Sequence, residues 1–248
     1  MVAQENQQFV LLERDWIVRV EKPADPQDAQ LLVLLHGWTG DENVTSVFTR
    51  RFPPRYWILA PRGPVATKDG GYGWIHVTKD PERDYDEMIA MAGKLHDMIG
   101  FWLDYLGLAP QPASLIGFSQ GASLSLTYAL RFPHEISKVA ALSGGLPEWA
   151  QKLVKPGSLT GKRIFIAHGT KDTVVSIDYS RRAAQFVEQA GGEPLFCQSD
   201  VGHKVASPCF KQMETYFNGQ KPRSTVLAGT EQRENPQQQP DTGNHSDH

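Results

Sequence analysis

The sequence predicts an α/β protein, with a mostly parallel central sheet flanked by helices. Three observations predict it. Six short apolar runs recur along the chain; they are too short for helices and lack polar alternation, as strands buried on both faces are. Segments with helical periodicity lie between them. The 248 residues are 40% apolar and 21% charged, which suits one unit with a sizeable core.

The runs are Leu31–Leu35, Tyr56–Ala60, Ala113–Ile116, Val139–Leu142, Arg163–Ala167 and Pro194–Cys197. Ahead of them, Phe9–Val20 reads as an added antiparallel strand or pair at one edge. The longest helical segment spans about Asp84 to Leu106. Its Met88, Met91, Leu95, Ile99, Trp102 and Leu106 step by three or four and draw one stripe. A second helix is expected from Gln120 to Phe132. A third runs from Ile177 to Ala190 and stops at Gly191–Gly192, and a fourth covers Pro208–Phe217. Strands alternating with helices imply right-handed βαβ units in an open, doubly wound sheet. Residues 1–218 form the expected folded domain. From Gly219 to His248 the chain is rich in Gln, Pro, Asn and Ser and reads as a disordered polar tail.

A formal net charge of −3 gives no electrostatic case for binding nucleic acid or an anionic membrane surface. No basic start precedes an apolar core, and no apolar run approaches the roughly 20 residues of a membrane span. A cytoplasmic protein is the resulting expectation. Cys197 and Cys209 match no zinc or redox spacing, and two thiols do not make a disulfide framework. His245 and His248 in the tail do not amount to a metal site, so no metal is expected.

The chemistry starts at Gly117-Phe118-Ser119-Gln120-Gly121. This is the G-x-S-x-G spacing, in which a serine sits on a strained strand-to-helix turn and flanking glycines permit close packing. Its hydroxyl projects toward the C-terminal end of the sheet, where open α/β folds bind ligands. Gln120 would open the helix, leaving its N–H free to donate to an anion.

A serine needs a base, and this arrangement expects Asp or Glu and then His downstream. Asp172 follows the run "RIFIA", and His203 follows "PLFC". Both sit past a strand's C-terminal end, on the rim where Ser119 is expected. Asp178 and Asp200 are the rivals for the acid; the first reads as helical, and the second precedes the histidine too closely. Among the histidines, His96 and His134 lie on or after helices, while His76 and His168 could line a site. After "LLVLL" comes His36-Gly37-Trp38. A His-Gly turn at this position supplies a backbone N–H opposite the one after the nucleophile, so Trp38 and Gln120 are the expected oxyanion donors.

Together, "LLHGWTGDE" (34–42), "LAPRGP" (59–64), "GFSQGASLSL" (117–126), "LSGGLP" (142–147), "HGTKDTVV" (168–175) and "GH" (202–203) resemble the phospholipase/carboxylesterase family of α/β-hydrolases. The likeness covers most of Leu31 to Phe217. It implies an α/β-hydrolase fold without a large lid domain and a cofactor-free esterase acting on small or lipid-like esters. An acyl-protein thioesterase or lysophospholipase is the alternative, and a non-catalytic hydrolase-like binding protein is the rival from another class. The resemblance also implies Ser119, Asp172 and His203 as a triad, with Trp38 and Gln120 as donors. Two departures stand out. Trp38 is bulky where thioesterase members carry a small aliphatic residue, and "YGWIH" (72–76) replaces a tryptophan–aromatic–aspartate segment. Trp74 and His76 are therefore the expected pocket residues. The sequence leaves a homodimer open.

Overall fold

The computed structural model describes residues 8–13, 16–26 and 29–219. The polar tail beyond Gly219 lies outside the described residues. In chain order the strands and helices are β1 (Gln8–Glu13), β2 (Trp16–Glu21), β3 (Gln30–Leu35), β4 (Tyr56–Pro61), β5 (Val65–Ala66), β6 (Tyr72–Gly73), α1 (Pro81–Tyr105), β7 (Ala113–Phe118), α2 (Gln120–Arg131), β8 (Ile136–Leu142), β9 (Arg163–Gly169), α3 (Ile177–Gln189), β10 (Glu193–Ser199) and α4 (Ser207–Phe217).

Eight strands make one sheet in the order β1-β2-β4-β3-β7-β8-β9-β10, and β5 and β6 form a separate two-stranded ribbon. From β4 to β10 the pairing is parallel, while β2 runs against both of its neighbours. The six apolar runs are thus the parallel strands, and the Phe9–Val20 segment supplies the antiparallel edge pair.

Strand alternation divides the core into two layers. Leu31, Val33 and Leu35 of β3 face the layer under α1, α2 and α3, with Met91, Leu95, Leu124 and Phe186. Leu32 and Leu34 face the opposite layer, with Phe165 and the α4 residues Met213 and Phe217. Each such buried side chain is worth about 1.5–3 kcal/mol. The stripe on α1 is buried as its periodicity predicts, from Met88 through Trp102. That helix starts at Pro81, three residues early, because Asp80 caps it by accepting the Arg83 N–H at 3.1 Å and Pro81 needs no donor there.

Because β3, β7, β9 and β10 are parallel, the loops after them emerge at one edge of the sheet. Beyond β10, α4 folds back onto the sheet and brings Cys209 beside Cys197 with their Cα atoms 5.7 Å apart. A disulfide joins them. The two cysteines are therefore a structural pair, which a spacing of twelve residues alone does not reveal.

Candidate active site

Ser119 links β7 to α2 at φ 53° and ψ −116°, a conformation that L-residues adopt only under constraint. The constraint is close packing. A Cβ at Gly121 would strike the backbone of Leu35 and His36, and one at Gly117 would strike the carbonyl of Gly121. Glycine at both positions lets α2 start directly against the ends of β3 and β7. The elbow is further held by Ser119 N–H donating to Leu142 O at 2.8 Å.

The structure brings Ser119, Asp172 and His203 together. His203 Nε2 lies 3.0 Å from Ser119 Oγ, and its Nδ1 lies 2.7 Å from Asp172 Oδ2. The two loops are tied to each other by Thr170 N–H to Ser199 O at 2.8 Å and Lys171 N–H to Val201 O at 3.0 Å. Phe118 packs against the His203 ring at 5.1 Å. The Asp172 side chain is buried, which by itself would raise its pKa. The Val175 N–H, His203 and the Val174 N–H outweigh burial and hold it below the usual carboxylate range. The rival acids are elsewhere: Asp178 pairs with Arg181 on α3, and exposed Asp200 pairs with Lys171.

The turn after β3 is built around His36. This imidazole is buried, and burial lowers its pKa against the opposing pull of the Gly37 carbonyl. Its Nε2 accepts the Gly63 N–H at 2.8 Å, so Nδ1 carries the proton and donates to Gly37 O at 2.7 Å. Among the described residues neither Trp38 N–H nor Gln120 N–H has a backbone acceptor. No backbone bond thus occupies either amide.

Trp74, an expected pocket residue, has no exposed surface. Trp74 is fully buried beneath this turn; its indole N–H donates to His36 O at 2.7 Å and its ring packs tilted against His36 at 4.8 Å. It is a brace, not an open wall. His76, two residues on, is exposed. The exposed Trp38 ring instead lies across Gly73. Gln120 has a second task that its motif does not disclose. Its side chain accepts the Trp74 N–H at 2.6 Å and donates to Ile75 O at 3.2 Å, clipping the 72–76 segment to α2.

A cavity of about 290 Å³ borders the site, lined by Gly145, Pro147, Val174, Val175 and Tyr179 with Ser123 and Ser176. Ser123 lies one turn along α2 from Ser119, and Val174 and Val175 donate to Asp172. Another cavity, about 310 Å³, lies between β2, β4 and the 46–54 segment and touches none of these residues. Among the described residues no cluster of metal-ligating side chains occurs, and no helix is long and apolar enough to cross a membrane.

A family profile decides what this geometry belongs to: that of the phospholipase/carboxylesterase family matches residues 16–219. The chain belongs to that family. The esterase YpfH of Escherichia coli K12 is 28% identical over 196 residues, covering 75% of this chain and 80% of the relative. An acyl-protein thioesterase 1 of Cryptococcus neoformans var. neoformans serotype D is 31% identical over 175 residues, covering 66% and 71%. Among solved structures, the carboxylesterase of Bacillus cereus has a TM-score of 0.75 at 18% identity, covering 84% of this chain and 95% of that one. The fold is thus the family's α/β-hydrolase fold, and no large lid is inserted among the described residues.

Proposed function

We propose that the protein is a serine hydrolase that cleaves carboxylic esters of small or lipid-like substrates through an acyl-enzyme. The observation that carries the reading is one hydrogen-bond chain, from Ser119 Oγ through His203 to the buried Asp172 carboxylate, at 3.0 and 2.7 Å. His203 Nε2 takes the serine proton as Oγ attacks the ester carbonyl. Asp172 fixes the tautomer and stabilises the imidazolium that results. The Trp38 and Gln120 amides receive the developing oxyanion; one such donor is typically worth about 2.7–4 kcal/mol in the transition state. The tetrahedral adduct collapses, its carbonyl–oxygen bond to the alcohol breaks, and His203 hands its proton to the leaving oxygen. Water then attacks the acyl-enzyme, gives a proton to His203, and the second collapse returns that proton to Ser119.

The cavity that Val174, Val175, Pro147 and Tyr179 line with Ser123 and Ser176, one turn of α2 from the nucleophile, supports an acyl or alcohol group of modest size. A second reading, thioester cleavage, is favoured by the relative that is itself named an acyl-protein thioesterase. A chain-length series of chromogenic acyl esters with matched thioesters, run beside Ser119→Ala, tests both. Turnover of short esters that vanishes in Ser119→Ala supports the first reading, and preference for long acyl thioesters selects the second. Unchanged turnover in Ser119→Ala overturns both. A cytoplasmic location belongs to the proposal, and the disulfide is the observation that weighs against it, since such bonds persist mainly in oxidising compartments.

A further inference from the structure

We propose that His168 is a positioning residue for the acid–histidine pair, holding the Asp172 carboxylate to the sheet so that it faces His203; this rests on the triad reading above. The Asp172 and His168 side chains are fully buried and in contact. Asp172 Oδ1 accepts two amides, from Val174 at 2.9 Å and Val175 at 3.0 Å. Those amides belong to the same loop as the acid and move with it. Oδ2 faces two imidazoles, His203 Nδ1 at 2.7 Å and His168 Nε2 at 3.2 Å. Of the four donors, only His168 stands on a strand, as the penultimate residue of β9. It therefore ties the acid's working oxygen to the rigid part of the fold.

The imidazole is itself fixed. Its Nε2 has two acceptors in front of it, Asp172 Oδ2 and the Val175 carbonyl at 2.9 Å, so Nε2 carries the proton. Its Nδ1 lies 2.6 Å from the buried Ser180 Oγ of α3, and the single hydroxyl proton there has two acceptors before it, Nδ1 and Gly144 O at 2.5 Å. Gly144 follows β8 and packs on the carbonyl side of Ser119. A chain of contacts thus runs from the acid through His168 and Ser180 to the elbow's own neighbour.

A neutral histidine suits this post better than a cation. Burial lowers the His168 pKa, against the opposing pull of the Val175 carbonyl and Asp172, so the ring donates without cancelling the carboxylate's charge. That charge stays available to the imidazolium formed on His203. The ionisable groups facing His168 are Asp172 and His203. Across from it, α3 offers the uncharged Ser180 and β10 pairs it with Gln198, while β8 sets Leu142 beside the preceding Ala167. Asp178 and Arg181 of α3 are exposed and paired with each other.

A buried histidine with a purely structural role would affect unfolding and nothing else. The test compares His168→Leu, His168→Gln and Ser180→Ala in kcat, KM and the pH profile of kcat/KM with a chromogenic acetyl ester. An aligned carboxylate favours the protonated form of its histidine, so misalignment makes His203 release its proton more readily. His168→Leu should lower kcat about 10–100-fold with little change in KM, and move the acid limb of the profile to lower pH. His168→Gln, which keeps an N–H in reach of Asp172, should recover most of the loss. A folded His168→Leu protein with wild-type kcat and acid limb overturns the proposal. If that variant does not fold, Ser180→Ala carries the test: an about three- to tenfold fall in kcat with the same displacement supports it, and wild-type kinetics overturn it. Ser119→Ala run alongside separates the two levels. Residual full turnover there removes the triad reading, whereas an inactive Ser119→Ala beside an unaffected His168→Leu removes only the positioning role.

Discussion

Replacing Gly121 by alanine probes the junction on which the proposed chemistry depends. The added Cβ would lie on the Leu35 carbonyl oxygen, 2.5 Å from His36 O and 2.6 Å from Leu35 C. Those distances fall about 1 Å short of ordinary contact, and every atom involved is backbone, so no side chain can rotate away. The start of α2 and the end of β3 must separate by about that much. Overpacking of this kind costs about 1–3 kcal/mol, which in a domain of this size lowers Tm by about 2–12 °C. The same separation pulls the Gln120 amide and Ser119 away from the Trp38 amide. A misplacement of about 1 Å at reacting groups costs about 10²-fold, and the loss should fall on kcat. Gly100→Ala is the matched control. It lies mid-helix on the exposed side of α1 with nothing within 4 Å of its added Cβ. There the substitution should stabilise by about 0.5–1 kcal/mol and leave turnover unchanged. Thermal unfolding by circular dichroism, with kcat and KM for an acyl ester, reads both. A Gly121→Ala protein with wild-type Tm and kcat refutes the packing argument, and so does equal damage from Gly100→Ala.

Two further outcomes follow from groups around the site. Glu42 accepts Arg62 Nε and Nη2 at 2.6 Å each, and this pairing holds its pKa below the usual 4.5 against burial, which pushes it up. A depressed carboxylate stabilises the fold above its unfolded pKa and loses that contribution as pH falls through the folded value. Glu42→Gln should therefore cost about 1–3 kcal/mol at pH 7, less than for a fully buried pair because Arg62 is partly exposed, and show a shallower loss below about pH 4.5. Urea unfolding at pH 7 and pH 4 checks this; identical pH dependence in both proteins would count against the pairing. The Cys197–Cys209 bond closes a short loop that carries His203. Replacing both cysteines by alanine should cost about 2–3 kcal/mol and lower kcat more than it raises KM. Both sulfurs are buried, so a thiol reagent should find no reactive cysteine in the native protein; two readily titrated thiols would sink the prediction.

The parts of the fold legible in the sequence are those where burial on both faces erases polar alternation. Leu31–Leu35 and Arg163–Ala167 extend by only one or two residues in the structure. Val139–Leu142 extends by three, to Ile136, because Ser137 and Lys138 interrupt the apolar run at the strand's entrance. Lys138 stays there by sending its ammonium to the Phe217 carbonyl at 2.7 Å, a partner 79 residues away that no local pattern encodes. The chain order of Ser119, Asp172 and His203 was legible for a different reason. Parallel strands deliver their following loops to one edge, so residues just after "ASLI", "RIFIA" and "PLFC" must share a rim.

What stayed hidden is the second task of residues whose first task is evident. Trp74 reads as a pocket wall because "YGWIH" stands where the family resemblance places a pocket segment. In the fold, the carbonyl of the buried His36 takes the indole N–H at 2.7 Å, and the fully buried ring packs beneath the turn. Gln120 reads as a backbone donor, yet its amide side chain secures the 74–75 backbone that carries that indole. His36, Trp74 and Gln120 are thus one unit: the imidazole fixes the turn, the indole supports it from below, and the glutamine fastens the indole's segment to the nucleophile's helix. The two candidate oxyanion donors sit at opposite ends of that unit. A shared frame of hydrogen bonds joins them, so replacing Trp74 by phenylalanine, which deletes the bond to His36 O, should lower kcat for an acyl ester more than it raises KM, and wild-type kinetics in that variant would refute the coupling.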